Sequence, residues 1–339
     1  MLDDRKAAVL RAVVREYIET AQPVGSAHVA HSTGLGVSPA TVRNEMAALE
    51  REGYLTQPHT SAGRIPTDQG YRFFVDQLSG PRALPAAQRQ QVREFFAKAH
   101  GELEQMLHDT SSLLSGLTSY AALILAPPSE SATVRSVQVV GLTERMAMVV
   151  VVLSNGAIEK AMLELDADLG DEHLAAASSH LTAHLEGTPL VGDAAIPATG
   201  DRRLDGLVTA VLHALGSAAE RAERDHDHVY VGGASRMASA FDAVDTVRQV
   251  LAILEQQYVV VSLLREVIDN DGEQGISVSI GTELGLQPLA ECSIVVAPYQ
   301  IEGESLGTVG VLGPTRMNYP QAMAAVAVVS ERLGRSLSA

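Results

Sequence analysis

The sequence is poor in the residues that stabilise small secreted domains. Its 339 residues include a single cysteine, Cys292, no tryptophan and only 4% aromatic residues. One cysteine excludes an internal disulfide and is typical of a reducing compartment. Because aromatic side chains are so few, the hydrophobic cores must consist mainly of Ala, Val and Leu.

Long hydrophobic runs are also missing. The first residues, Met1-Leu-Asp-Asp-Arg-Lys6, contain no apolar signal segment. The longest apolar runs, near residues 146–153 and 294–298, have the length of strands rather than of membrane spans. We therefore expect a cytoplasmic protein with no membrane partner.

Positive charge is scarce overall and unevenly distributed. The net charge is −16, yet residues 1–82 hold nine Lys or Arg against nine Asp or Glu. The whole negative excess therefore lies in residues 83–339, which carry 16 Lys or Arg and 32 Asp or Glu. A neutral segment attached to an acidic body can still bind DNA, whereas the acidic body would be repelled by the duplex.

Residues 36–53 form the most informative stretch. Ser38 is a good N-cap, Pro39 suits the first helical position, and Gly53 suits the end of a helix. At about 100° per residue, one narrow stripe of this helix is apolar and must face a core. That stripe contains Val42, Met46 and Leu49.

The opposite side of the same helix is small, amide-bearing and cationic. The three glutamates of the helix lie roughly 100° or more from the centre of this side. Such a face suits a DNA groove, because Asn44 can pair with adenine and Arg43 with guanine. Ser38 and Thr41, near the helix N-terminus, suit phosphate oxygens. A solvated helix with ordinary polar residues is the alternative.

The neighbouring segments predict a helix-turn-helix followed by a wing. Helices are expected over residues 3–20 and 26–31 before the helix of 38–53, and over 68–78 after it. Between the last two, strands over 54–58 and 64–66 would flank a polar tip that contacts phosphates or the minor groove. An ordinary exposed turn is the alternative for this tip. The predicted DNA-contacting residues are Ser38, Thr41, Arg43, Asn44, Arg51, His59, Thr60, Ser61 and Arg64.

Residues 79–85, Ser-Gly-Pro-Arg-Ala-Leu-Pro, read as a linker and predict a domain boundary. Beyond it, strands over 276–280, 292–299 and 307–313 with a closing helix resemble the back half of a GAF-type sensory domain. Asn155-Gly156 predicts a hairpin, and residues 269–272 a turn. Helices are expected over 86–116, 168–185, 202–224, 244–256 and 320–333, and further strands over 121–126, 134–141, 145–153, 157–165 and 258–267.

Four motifs resemble the HrcA family of heat-inducible transcription repressors, and the resemblance spans essentially the whole chain. They are Pro23-Val-Gly-Ser26, Val37-Ser-Pro-Ala-Thr-Val-Arg-Asn-Glu-Met46, Gln57-Pro-His-Thr-Ser-Ala-Gly-Arg-Ile-Pro-Thr-Asp-Gln-Gly-Tyr-Arg72 and Gly307-Thr-Val-Gly-Val-Leu-Gly-Pro-Thr-Arg-Met-Asn-Tyr319. One departure is Ala27, where the family usually carries Lys or Arg; His28 is a weak substitute for that phosphate contact.

The resemblance implies an α+β multidomain protein. Residues 1–82 would form a winged helix-turn-helix domain, and 83–133 with 228–339 a GAF-like α/β domain with an antiparallel sheet. Residues 134–227 would be an inserted α+β dimerisation domain.

The function implied is a homodimeric repressor of chaperonin and co-chaperone operons. It would bind an inverted-repeat operator in double-stranded DNA, lose binding on heat stress, and be modulated by the chaperonin. The alternative is a one-component repressor regulated by a small effector in the GAF-like domain.

Other candidate sites have plainer explanations. His226-Asp-His228 lacks a third ligand at metal-site spacing, and His173, His180 and His184 lack a partner carboxylate. Cys292 fits a packed core position better than a nucleophile. Since no nucleophile–base–acid arrangement stands out, we expect no enzymatic activity, no metal and no cofactor.

Overall fold

The computed structural model describes residues 2–337, apart from 33–35, 60–61, 79, 82, 99–101, 127–132, 155–157, 166–168, 190–195, 226–227, 239, 242, 272–274 and 302–303. The helices are α1 (Asp4–Thr20), α2 (Ser26–Ser32), α3 (Pro39–Arg51), α4 (Asp68–Asp76), α5 (Ala86–Lys98), α6 (Leu103–Thr118), α7 (Asp171–Leu185), α8 (Arg202–Asp225), α9 (Ala234–Ala238), α10 (Val244–Leu254), α11 (Gln257–Asp271) and α12 (Tyr319–Leu337). The strands are β1 (Leu55–Thr56), β2 (Ile65–Pro66), β3 (Ala121–Leu125), β4 (Val134–Thr143), β5 (Met146–Leu153), β6 (Ile158–Glu164), β7 (Val229–Gly232), β8 (Ser277–Ile280), β9 (Cys292–Ile301) and β10 (Glu304–Pro314).

These strands form three antiparallel sheets, so the predicted α+β class with antiparallel pairing is confirmed. A two-stranded ribbon contains β1 and β2, the body sheet has the order β7-β3-β10-β9-β8, and the meander sheet has the order β4-β5-β6. Most predicted elements are found with small shifts of their bounds.

The N-terminal segment, residues 2–78, is called the head. It contains α1 to α4 and the ribbon, in the order that the sequence predicts. The apolar stripe of α3 is fully buried as predicted: Val42, Met46 and Leu49 lie in one cluster with Val13 and Val14 of α1. The head therefore has its helices fixed by apolar packing beneath α3.

The single long helix predicted over residues 86–116 is wrong. The structure has two helices, α5 and α6, and Glu102 takes an extended backbone conformation at the start of α6. The apolar periodicity of the sequence continues across the break, because Val92 of α5 and Leu107 of α6 are both buried in the same cluster. Periodicity alone therefore could not reveal where one helix ends and the next begins.

The strand predicted over residues 258–267 is also wrong, because these residues form α11. The run Val259-Val-Val261 favours a strand by local propensity. The buried residues of α11, however, include Val260, Val261, Leu264 and Val267, which is helical spacing. The turn predicted at 269–272 is contradicted at 269–271, which belong to α11. Tertiary packing of this helix against the body sheet overrides the local preference.

The body sheet is covered on both faces. Helices α6 and α12 share a buried cluster with one face, and α10 and α11 share a second cluster with the other. Cys292, at the start of β9, is buried in the second cluster, and burial raises the pKa of its thiol to about 12, with a smaller contribution from Glu291. The prediction of a packed core cysteine is confirmed.

The meander sheet lies apart in the chain order, between β3 and β7, which are neighbours in the body sheet. Its inner face packs on α7 and α8 around a cluster that includes Val137, Val149 and Leu181. The three predicted strands are confirmed, whereas the predicted Asn155-Gly156 turn lies outside the described residues. Across the described part of the chain, no helix is both long and apolar enough to cross a membrane.

Candidate nucleic-acid interface

Helix α3 begins and ends as its sequence predicts. The Ser38 side chain is the N-cap and its Oγ accepts a hydrogen bond from the Thr41 amide at 3.2 Å. Pro39 occupies the first turn, where its missing N–H costs nothing. Gly53 follows the last turn with a φ of +85°, a conformation that favours glycine.

The outward side of α3 carries the predicted contact residues. Ser38, Arg43, Asn44 and Arg51 are exposed and Thr41 is half-buried. The Ser38 and Thr41 hydroxyls lie 3.0 Å apart, and the Arg51 Nε donates to the Ala47 carbonyl oxygen at 3.3 Å. Within the described part of the chain, the side chains of Arg43 and Asn44 make no hydrogen bond, so both are available to a ligand.

Each glutamate of this region is engaged by a cation at the flank of α3. Glu45 contacts the Arg5 Nε at 2.7 Å, and Glu52 contacts the Lys6 Nζ at 2.6 Å. The hydrogen bond to Glu52 raises the pKa of Lys6 above its ordinary value. Because both cations belong to the segment of α1, these pairs brace α1 against α3.

The third glutamate, Glu50, pairs with Arg64 of the ribbon, where the Arg64 Nε and the Glu50 Oε2 lie 2.9 Å apart. The three pairs account for the sorting of charge that the sequence shows. Because the negative charges of α3 are paired with cations of α1 and the ribbon, they oppose an anion that approaches the outward side less strongly.

The ribbon lies beside α3 and is tied to the start of α2. Leu55 pairs with Pro66 and Thr56 with Ile65. Val24 and Arg64 exchange two backbone hydrogen bonds, each amide donating to the other residue's carbonyl oxygen at 2.9 Å. Gly63 approaches this bridge so closely that a Cβ there would overlap the Val24 carbonyl group.

At the tip of the ribbon, the Gln57 Nε2 donates to the Ala62 carbonyl oxygen at 3.0 Å and His59 is exposed. Thr60 and Ser61 lie outside the described residues. Arg64 is half-buried at the base of the ribbon and already occupied by Glu50. His28 of α2, the weak substitute for a cation at position 27, pairs with Glu16 of α1 at 2.9 Å.

Sequence reasoning missed the role of two residues in the 57–72 motif. Asp68 and Arg72 belong to the same motif as the predicted DNA-contacting residues of the ribbon. They lie on α4, however, and bind residues near the end of β8. Nothing in a single sequence indicates this, because these partners in the body lie more than 200 positions away along the chain; the pair that spacing does indicate, Arg72 with Asp76 at 3.6 Å, lies within α4.

Two of the three histidines of α7, His180 and His184, make hydrogen bonds within their own region. The rings of His180 and His184 have centroids 4.4 Å apart. The His180 Nε2 lies 3.0 Å from the Pro197 carbonyl oxygen, and the His184 Nδ1 lies 2.8 Å from that of His180. Over the described ranges of the chain, no three His, Cys, Asp or Glu side chains are arranged to hold a metal ion.

A cleft of about 540 Å³ lies where the head meets the body. Its walls come from α1, α4, residues 83–85 and α12. They are mostly apolar, with Ile18, Phe74 and Leu84 among them, and Arg15 is one of the polar residues at the cleft. Its volume lies within the range of small-molecule sites, about 300–1,000 Å³.

The chain is similar to known proteins over nearly its full length. The family model described as "HrcA protein C terminal domain" matches residues 104–323. The heat-inducible transcription repressor HrcA of Pelotomaculum thermopropionicum is 38% identical, over 99% of this chain and 97% of its own. That of Pseudarthrobacter chlorophenolicus is 39% identical, over 99% of each chain.

A crystal structure described only as that of a hypothetical protein shares the fold. It aligns over 99% of this chain and 98% of its own, with a TM-score of 0.66 and 24% identity. By class, the protein is a transcription regulator. It belongs to the HrcA family of heat-inducible transcription repressors.

Proposed function

We propose that the chain represses transcription by binding operator DNA as a homodimer, with α3 in the major groove. The observation that carries this proposal is the outward side of α3. It presents two unoccupied base-reading side chains, Arg43 and Asn44, while the three glutamates are held in ion pairs at its flanks. DNA recognition requires a face of this kind, where polar and cationic groups point at base edges and phosphates.

The roles proposed for the contact residues are supported by their positions on α3 and the ribbon. Asn44 and Arg43 read base edges, and Ser38, Thr41 and Arg51 contact phosphates along the groove. The ribbon is the wing, whose residues His59, Thr60, Ser61 and Arg64 approach phosphates or the minor groove.

We also propose the domain division that this function requires. Residues 1–82 form the winged-helix domain, 83–133 and 228–339 the GAF-like domain, and 134–227 an inserted dimerisation domain. The insertion is supported by the pairing of β3 with β7 in the body sheet, since the meander sheet and its helices occur between these two strands in sequence.

The outer face of the meander sheet is the surface assigned to the second copy. Four large apolar side chains remain exposed there: Val140 by 43%, Leu142 by 49%, Met146 by 38% and Met162 by 54%. Val140, Met148 and Met162 form one row across the three strands. An exposed apolar patch of this kind marks an interface, and a self-complementary surface gives the two-fold symmetry that an inverted repeat demands.

The proposed targets are chaperonin and co-chaperone operons. The repressor would release them on heat stress, and the chaperonin would modulate its binding. A dimer places its two α3 helices in half-sites about one helical turn (~34 Å) or a multiple apart. Folded domains are stable by only about 5–15 kcal/mol. Modest heating can therefore disassemble the dimer, and a partner that binds the native form opposes this by mass action.

The test is operator occupancy of the purified protein as a function of temperature, with and without chaperonin. The expected result is a loss of occupancy at heat-shock temperatures that chaperonin shifts upwards. Occupancy that is insensitive to temperature but follows an added metabolite would contradict heat release.

The cleft between head and body favours a second candidate function, regulation by a small effector. A ligand there would contact α4 of the head and α12 of the body together. A thermal-shift screen tests this candidate, because a true effector raises the melting temperature in proportion to the logarithm of its excess over its Kd. The site lies at the junction rather than in the body alone, so Phe74→Ala should abolish the shift.

A further inference from the structure

Helix α4 is joined to the body by an ion pair with two parallel contacts. Arg72 of α4 meets Glu283, which lies in a short 3-10 helix, Gly281–Leu284, directly after β8. The Arg72 Nε donates to the Glu283 Oε1 at 2.9 Å and its Nη2 to the Oε2. The same Nη2 also donates to the Val278 carbonyl oxygen at 2.6 Å. Such a two-pronged guanidinium–carboxylate pair fixes orientation as well as distance.

A second polar contact lies one turn earlier on α4. The Asp68 Oδ2 accepts hydrogen bonds from the Thr282 amide at 3.0 Å and from the Thr282 hydroxyl at 2.9 Å. Gly281 makes room for this approach, since a Cβ there would overlap the Asp68 carboxylate. The Glu283 carboxylate is itself held by the Ile280 amide at 2.8 Å. The carboxylate that receives Arg72 is therefore held in place by the body itself.

Apolar packing completes the junction. Tyr71 is 2% exposed and its ring centroid lies 5.9 Å from that of Tyr319 in α12. Tyr71 and Phe74 belong to the same buried cluster as Tyr319 and Val326. One helix of the head thus presents Asp68, Tyr71 and Arg72 to the body together, which leaves the head one defined angle on the body.

We propose that Asp68 and Arg72 are positioning residues for operator binding, because they set the angle of each head and hence the spacing between the two α3 helices of a dimer. The inference rests on the proposed function and adds a device that selects among operators. With both heads fixed, one half-site separation satisfies both α3 helices at once, and other separations lose the gain from two linked contacts. With the contacts of Asp68 and Arg72 lost, each head can take more than one angle on the body, and several separations then become acceptable.

The experiment uses the full chain and duplexes that the wild type selects from a random library. These are re-synthesised with their half-sites moved apart in single base-pair steps over about one helical turn (~10 base pairs). Single half-site duplexes are measured in parallel by fluorescence anisotropy. The variants are Arg72→Gln, Glu283→Gln and the charge exchange Arg72→Glu with Glu283→Arg. Arg335→Gln is the matched control, because Arg335 forms an ion pair with Glu331 on α12.

Wild type and Arg335→Gln should prefer one separation by roughly tenfold or more over its neighbours. Arg72→Gln and Glu283→Gln should flatten this preference to within about threefold, with half-site affinity unchanged within a factor of about two. The charge exchange should restore part of the preference, because it re-forms the ion pair although not the hydrogen bonds to Val278 and from Ile280; loss of general stability would restore none. Thr282→Val, which removes one hydrogen bond to Asp68, should flatten it partially and serves if the arginine variants do not fold.

The outcomes separate the two proposals. A wild type that selects no duplex removes the proposed function itself. A wild type with a sharp preference that every junction variant retains overturns the positioning role. A fall in half-site affinity as large as the fall on the paired sites also overturns it, because Arg72 would then act within a single head.

Discussion

The outward side of α3 and the outer face of the meander sheet cover similar buried layers, but their exposed layers differ. Each covers a buried apolar layer, with Val42, Met46 and Leu49 under α3 and Val137, Val149 and Val151 under the sheet. The exposed layer of α3 is polar and cationic, whereas that of the sheet has Val140, Leu142, Met146 and Met162 beside a few polar residues, Gln138, Lys160 and Glu164. Exposure is common to both surfaces, so the chemistry of the exposed groups distinguishes the partners.

The two surfaces also treat their charges differently. On α3, acidic groups are present but each is neutralised by a neighbouring cation. On the sheet, the row of Val140, Met148 and Met162 has no ionisable side chain, and the charged residues Lys160 and Glu164 lie on either side of it. An anionic duplex requires the first arrangement. A second copy of the chain gains from the second, at roughly 25 cal/mol for each Å² of apolar surface removed from water.

The largest expected effect comes from placing a charge in that row. Met162→Glu should convert the dimer to a monomer, because a buried unpaired carboxylate at an interface is strongly unfavourable. Affinity for a paired operator should then fall by roughly 10²-fold or more, since the linked second contact is lost. Light scattering and fluorescence anisotropy measure the two quantities.

Tyr258→Glu is the control for this change. Tyr258 is also a large exposed apolar residue, at 74%, but it lies on α11 away from the meander sheet. It should leave the dimer intact. A Met162→Glu protein that remains dimeric and binds normally would remove the sheet from the dimer interface.

The next effect is on base reading by α3. Asn44→Ala should cost about 1–3 kcal/mol on the preferred operator, because the two hydrogen bonds of an amide to adenine are lost. Preference at one base position in each half-site should relax, while affinity for random DNA stays the same. Competition with duplexes substituted at each position measures this. Gln90→Ala, which removes an exposed amide from α5, is the control; an Asn44→Ala protein with unchanged base preferences would place the reading residue elsewhere.

The sequence predicts α3 well and the junction with the body poorly, for a physical reason. The cap, the first-turn proline, the apolar stripe and the terminal glycine of α3 all lie within one short segment, where local rules apply. The contacts of Arg72 and Asp68 depend on how distant segments pack. The same limit explains α11, where local strand propensity lost to burial of a helical face.

Charge placement on α3 could be predicted only in part. Spacing places the glutamates away from the outward side, but it does not identify Arg5, Lys6 and Arg64 as their partners. That assignment depends on the crossing of α1 and α3 and on the path of the ribbon. It also changes the expectation for Arg64, which is a paired cation before any DNA arrives.

A smaller effect separates capping from DNA contact. Ser38 and Thr67 are both N-caps whose hydroxyls accept from an amide three residues on, each at 3.2 Å. Replacement of Ser38 by Ala should lower the free energy of unfolding by about 1 kcal/mol, and replacement of Thr67 by somewhat more, because the Thr67 hydroxyl also donates to the Gly53 carbonyl oxygen at 2.6 Å. Only Ser38→Ala should also weaken operator binding well below the melting temperature, by a few-fold, because Thr67 caps α4. Equal binding by the two variants would reduce Ser38 to a structural cap.

The smallest effects concern the pair of Arg64 and Glu50, whose side chains are partly exposed, 20% and 33% respectively. Arg64→Ala should weaken binding by roughly two- to threefold. It should also make log affinity fall less steeply with log salt, by less than about 0.9 in the magnitude of the slope, which is the value for a full phosphate contact. Glu50→Gln should change the salt dependence in the opposite direction. It frees the Arg64 guanidinium for a phosphate, so affinity should fall more steeply with salt. Titrations at several salt concentrations measure both slopes. If Glu50→Gln leaves the slope unchanged while Arg64→Ala lowers it by a full contact, Arg64 exchanges Glu50 for phosphate on binding, and the ion pair belongs to the free head alone.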